Sequence, residues 1–163
     1  MPLCLDAPAA PHLVANELGI DLELGTMVEA FHRIRTKSDW IVCEGAGGFL
    51  TPINEEEDLG DFAKAIDLPV ILVVGMKLGC INHALLTCES IKNKHLKIAG
   101  WVANTLSSEM SFLDENIETL RTRIKAPFLG LIPMLPKSIE KHVNEPYSIE
   151  AMQFAAEHIV LPD

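Results

Sequence analysis

The longest apolar run, Leu68-Pro69-Val70-Ile71-Leu72-Val73-Val74-Gly75-Met76, limits the fold most strongly. It is too short to cross a bilayer, and no polar residue marks a solvent-facing side. A strand of this kind fits the interior of a parallel sheet, where both faces are covered. The flanking pattern agrees. Leu24, Met27, Val28, Phe31 and Ile34 recur at helical spacing until Ser38-Asp39 interrupts them. Trp40–Cys43 reads as a strand, and Asp58 to Ile66 as a short helix with Leu59, Phe62, Ala63 and Ile66 on one face. After the strand that Pro69 opens, Ile81, Ala84, Leu85, Cys88 and Ile91 form a second helical stripe. Ile98 to Asn104 is a strand, Leu113, Ile117, Leu120 and Ile124 mark a helix, and Ala126 to Pro133 holds a terminal strand. A last helix runs from about Ser148 to His158. The order β-α-β-α-β-α-β, with uniformly apolar strands, predicts an α/β fold: a parallel sheet flanked by helices on both faces. The 163 residues are enough for a single domain, and neither repeats nor low-complexity tracts divide them.

Charge narrows the partners. Thirteen basic against 23 acidic side chains give 13 − 23 = −10. That excludes nonspecific nucleic-acid binding and attraction to an anionic membrane surface. Met1 to Asp6 shows no basic stretch followed by an apolar one, so no signal peptide is read and a cytoplasmic location is expected. Cys4, Cys43, Cys80 and Cys88 show no C-x-x-C spacing. Buried reduced thiols are favoured over disulfides. The six histidines lack H-x-x-x-H or H-x-x-E-H spacing, which argues against zinc.

In a parallel α/β sheet, ligands gather at the carboxyl ends of the strands. Glu44 ends the first apolar segment and opens Gly45-Ala46-Gly47-Gly48. Glycines let backbone N–H groups approach an anion, and an acid beside them can hold the Mg²⁺ that bridges phosphate. A capping or surface acid followed by a tight turn is the plainer alternative. Lys77-Leu78-Gly79-Cys80-Ile81-Asn82-His83 enters a helix, where free N–H groups and the helix dipole favour a carboxylate. An ordinary helix start reads the same way. Asn104 offers a donor and an acceptor suited to a purine edge, or is a turn residue. Pro133-Met134-Leu135-Pro136 is a rigid apolar loop able to cover a flat ring, or a simple connection. No G-x-x-x-x-G-K-[ST] occurs in the sequence.

Taken in order, these motifs resemble dethiobiotin synthetase. Glu44-Gly45-Ala46-Gly47-Gly48, Pro69 to Gly75, Leu78-Gly79-Cys80-Ile81-Asn82-His83-Ala84-Leu85-Leu86-Thr87, Gly100-Trp101-Val102-Ala103-Asn104 and Gly130-Leu131-Ile132-Pro133 carry the resemblance, with Ala7-Pro8-Ala9-Ala10-Pro11-His12 before them. The resemblance implies a P-loop NTPase-like fold, a homodimer, and closure of the ureido ring of dethiobiotin from 7,8-diaminononanoate, CO₂ and ATP. A substrate amine captures CO₂ as a carbamate, a carbamate oxygen attacks the γ-phosphoryl group, and the second amine closes the ring and expels phosphate.

Residue by residue, the resemblance implies that Glu44 ligates Mg²⁺ and that Glu44, Gly45, Ala46 and Gly47 approach the ATP phosphates and the carbamate. Asn104 and Thr105, with Pro133, Met134 and Leu135, would hold adenine. Gly79, Cys80, Ile81 and Asn82 would receive the substrate carboxylate near the dimer interface. Glu140 lies near where the family closes its nucleotide site. The family's first strand, its P-loop lysine and threonine, a further metal-binding acid and the lysine near the carbamate have no counterpart in these residues. The expectation is therefore a fold missing its N-terminal strand or strands, with low activity alone. It would be completed by a separate P-loop fragment or act as a binding module.

Overall fold

The structure is a computed structural model that describes residues 5, 9–141 and 145–162. Cys4 and the Ala7-Pro8 part of the motif above lie outside the described residues. Contacts divide the chain into two compact units, 1–68 with 90–96, and 69–89 with 97–163.

The second unit holds the sheet. Strands β1 (Val70–Met76), β2 (Ile98–Thr105) and β3 (Phe128–Ile132) run parallel in the order β1-β2-β3. The connections are helices, α4 (Cys80–Asn93) between β1 and β2 and α5 (Leu113–Arg123) between β2 and β3. This is the parallel α/β arrangement expected from the sequence. Its core forms where Val74 and Met76 of β1 and Trp101 and Ala103 of β2 meet Cys80 and Ala84 of α4 and Ile117, Leu120 and Ile124. Trp101 is fully buried, with the Phe128 ring 4.5 Å away and Arg121 stacked 4.1 Å above that ring. Ile71 and Val73, which alternate with the buried positions of the edge strand β1, remain 41% and 58% exposed. Helix α6 (Ile149–Ala156) starts at Ser148, whose hydroxyl accepts from the Ala151 N–H at 3.1 Å. The chain after it returns to β3, where Val160 N–H donates to the Leu129 carbonyl at 2.8 Å. Gly130 lies against the His158 carbonyl with φ +150, so a side chain has no room there.

The first unit is helical. Helix α1 (Pro11–Leu18) has proline in its first turn and ends at Gly19 with φ +66, the favoured start and stop. Helices α2 (Leu24–Arg35) and α3 (Leu59–Ile66) follow. Ala15, Leu22 and Ile53 form a small core with Ile20, Leu24, Met27, Leu59 and Phe62 against it.

One expected strand does not form. Trp40–Cys43 is irregular and outside the sheet, with Trp40 83% and Val42 92% exposed. A strand is stable only when a neighbour satisfies its backbone N–H and C=O groups, and this segment has no ladder partner among the described residues. Cys43 is therefore exposed, correcting the expectation of a buried thiol there. Cys80 is buried and Cys88 half-buried; all three are free. Burial pushes the Cys88 thiol above its ordinary pKa. Among the described residues, no helix is long and apolar enough to cross a membrane.

Candidate functional site

Parallel pairing brings several predicted residues into one row. Gly75 of β1 is opposite Asn104 of β2, and Asn104 is opposite Ile132 of β3. Met76 is opposite Thr105 one step further on. The carboxyl ends of all three strands thus share one edge, and the Pro133-Met134-Leu135 loop leaves from it. Asn104, Thr105, Pro133 and Leu135 are half-buried, while Met134 is 38% exposed. The Thr105 hydroxyl oxygen is buried without a hydrogen-bond partner among the described residues. An unsatisfied buried hydroxyl is costly unless a ligand or water completes it. Gly75 leaves space that Leu106 occupies; a Cβ there would stand 2.8 Å from Leu106 Cδ1.

Helix α4 begins within the same unit. Gly79 turns the chain at φ +92, and its carbonyl accepts from the His83 N–H at 3.1 Å. No acid occupies the first turn, so nothing on the helix offsets the positive end of the dipole. Gly79 and Asn82 are exposed, Ile81 is half-buried and Cys80 is buried, with Cys80 Sγ 3.9 Å from Asn116 Oδ1. The Cys80 N–H already donates to the Lys77 carbonyl at 2.9 Å, and the Cys80 side chain belongs to the core; the other N–H groups of this turn and the Asn82 amide fit a carboxylate. Glu140 is exposed and follows the 3-10 turn Lys137–Ile139.

Glu44, Gly45, Ala46 and Gly47 belong to the first unit and are exposed. Their loop is closed by Thr51: Gly48 N–H donates to Thr51 Oγ1 at 2.8 Å, and Thr51 N–H returns to the Gly48 carbonyl at 3.1 Å. Gly47 has φ +93. Glu44 makes no ion pair among the described residues, and no group of three His, Cys, Asp or Glu there could hold a metal ion. Mg²⁺ characteristically takes only one or two carboxylates beside phosphate and water, so a single free Glu44 fits that ion better than a full protein cage.

The loop rests on α3, which the sequence predicts as a helix but not as part of a site. Asp58 caps α3, with Asp61 N–H on Asp58 Oδ1 at 2.9 Å and Asp58 N–H on Asp61 Oδ2 at 3.1 Å. The spacing Asp58-x-x-Asp61 before an apolar helix is the readable trace of this reciprocal cap. Lys94 bridges both carboxylates. A shallow hollow lined by Leu24, Glu56, Glu57, Asp61, Lys64 and Ala65 adjoins α3; none of the predicted site residues lines it, and its acids disfavour phosphate.

A family model described as "AAA domain" matches residues 1–142. The chain is also similar to proteins named ATP-dependent dethiobiotin synthetase BioD. That of Aromatoleum aromaticum (strain DSM 19018 / LMG 30748 / EbN1) is 48% identical over 132 residues, 81% of this chain and 59% of the relative. That of Ralstonia nicotianae (strain ATCC BAA-1114 / GMI1000) is 47% identical over 136 residues, 83% of this chain and 59% of the relative. The chain therefore spans about 59% of the length of these curated relatives. With a match reaching from the first residue through the third strand and its following turn, the chain belongs to the AAA domain family.

Proposed function

We propose that this chain is part of an ATP-dependent dethiobiotin synthetase, a ligase that closes the ureido ring of 7,8-diaminononanoate with CO₂ in biotin biosynthesis. The observation that carries the reading is the 48% identity over 132 residues to a protein of that name. The 163 residues act as one dethiobiotin synthetase-like domain, cytoplasmic and homodimeric. Asn104 and Thr105 take the adenine edge, with Pro133, Met134 and Leu135 over the ring. The unpartnered Thr105 hydroxyl supports this assignment. Gly79, Cys80, Ile81 and Asn82 receive the substrate carboxylate, mainly through backbone N–H groups. Gly45, Ala46 and Gly47 face the phosphates, and Glu44 ligates Mg²⁺. Bound there, Mg²⁺ neutralises phosphate charge. Positioning and charge neutralisation dominate phosphoryl transfer, and these residues would supply the positioning.

A second reading is that these residues are a binding module or one subunit of a split enzyme. In it, the chain binds ligands and turns over only together with a separate P-loop fragment. One assay separates the two. The purified chain is incubated with ATP, Mg²⁺, bicarbonate and 7,8-diaminononanoate, with and without a P-loop fragment from a relative, and dethiobiotin is measured. Product from the chain alone rejects the second reading. Product only with the fragment supports the second. Failure of calorimetry to detect either diaminononanoate or MgATP binding rejects both.

A further inference from the structure

Lys94 follows α4 directly, and its ammonium lies 3.0 Å from Asp58 Oδ1 and 2.6 Å from Asp61 Oδ1. Its side chain is only 19% exposed. Two carboxylates clasped in one cap repel each other unless a cation stands between them. Burial disfavours the Lys94 charge, but hydrogen bonds to Asp61 and Asp58 outweigh it and raise the lysine pKa. The same turn of α3 supports the glycine loop. Leu59 N–H donates to the Thr51 carbonyl at 2.9 Å, Pro52 bridges to Asp58, and Leu59 Cδ1 stands 3.5 Å from where a Gly45 Cβ would be. At Gly60 a Cβ would come within 2.8 Å of both Lys94 Cε and Phe49 Cε1. The lysine stem and the ring that follows Gly48 thus close on bare helix backbone.

We propose that Lys94 is a positioning residue for the Glu44–Gly48 loop, because its bridge between Asp58 and Asp61 fixes the helix turn on which that loop is folded. Its functional consequence rests on the reading of the loop as the element that faces phosphate and Mg²⁺.

The test compares Lys94→Ala, Lys94→Arg and Asp61→Asn with the parent, using amide hydrogen exchange and calorimetric binding of MgATP. In Lys94→Ala, the bonded amides of Gly48, Thr51 and Leu59 exchange roughly tenfold faster or more, the scale of losing one charge-assisted hydrogen bond. Amides of Trp101 to Ala103 in β2 keep the parent rate. Arginine, which can bridge two carboxylates, restores both loop protection and MgATP affinity. Parent-like protection at Gly48, Thr51 and Leu59 in Lys94→Ala overturns the proposal whatever the binding data. Loosening and arginine rescue with unchanged MgATP affinity, or with no binding by the parent, uphold the positioning role and reject the phosphate reading of the loop. Should Lys94→Ala not fold, Asp61→Asn decides: the same amides loosen if the bridge holds the loop and stay protected if it does not.

Discussion

Gly47 shows most clearly what one position demands. Its φ of +93 suits glycine alone, and a Cβ would stand 2.8 Å from Thr51 Oγ1, the atom that accepts the Gly48 N–H. Gly47→Ala therefore strains the backbone and displaces the hydroxyl that closes the loop. We expect a loss of about 1–2 kcal/mol, the cost of placing an L-residue in left-handed backbone. Urea unfolding followed by circular dichroism reads it as a lower midpoint with unchanged slope; a parent-like midpoint rejects the argument. Thr105 makes the opposite case. Its hydroxyl is buried without a partner among the described residues, so Thr105→Val removes an unmet polar group while keeping shape. The expected outcome is an unchanged or raised unfolding midpoint, together with weaker ATP binding under the adenine assignment proposed above. A clearly lowered midpoint shows that the hydroxyl has a partner within the fold.

At the level of elements, the first turn of α3 is held by charge and should answer to pH. The hydrogen bond from Lys94 holds Asp61 below the usual carboxylate range, against a smaller effect of burial. A depressed acid contributes stability above its unfolded pKa and loses it as pH falls through the folded value. Lys94 is raised, so its contribution is complete below the ordinary lysine value and is lost as pH climbs through the folded one. The cap is therefore strongest between the two ranges, and α3 amides should lose protection at both acid and alkaline extremes. Lys94→Met abolishes the alkaline loss; its persistence in that variant assigns the loss elsewhere. The capped helices were legible because their signals are local. The Leu59, Phe62, Ala63 and Ile66 stripe fixes α3 to within a residue, whereas α1, between Pro11 and Gly19, is not among the expected elements. The strand expected at Trp40–Cys43 does not form because apolar composition reports only a preference for burial, whereas a strand needs a neighbour from elsewhere in the chain. In the candidate site, the Gly75, Asn104 and Ile132 row followed from parallel pairing, but the Lys94 bridge joins positions 33 residues apart and leaves no local trace.

For the whole molecule, a net charge of −10 sets the terms on which any phosphate compound approaches. Free ATP is strongly anionic, and a field of the same sign slows encounter at distances up to the Debye length. Salt shortens that length from roughly 30 Å at 0.01 M to about 8 Å at 0.15 M. Association of ATP should therefore accelerate as salt rises over this range, opposite to the behaviour of a basic nucleic-acid binder. Mg²⁺ should produce a larger acceleration, because it removes two charges from the ligand before encounter. Stopped-flow measurement of the association rate, with a fluorescent ATP analogue at several salt concentrations, reads both effects directly. A rate that falls with salt means that local cations around the binding face outweigh the chain's overall acidity. Arg121, stacked over Phe128 in the unit that holds Asn104 and Thr105, is then the first side chain to neutralise: Arg121→Gln should flatten the salt slope if it steers the ligand, and leave it unchanged if its charge is spent on the ring.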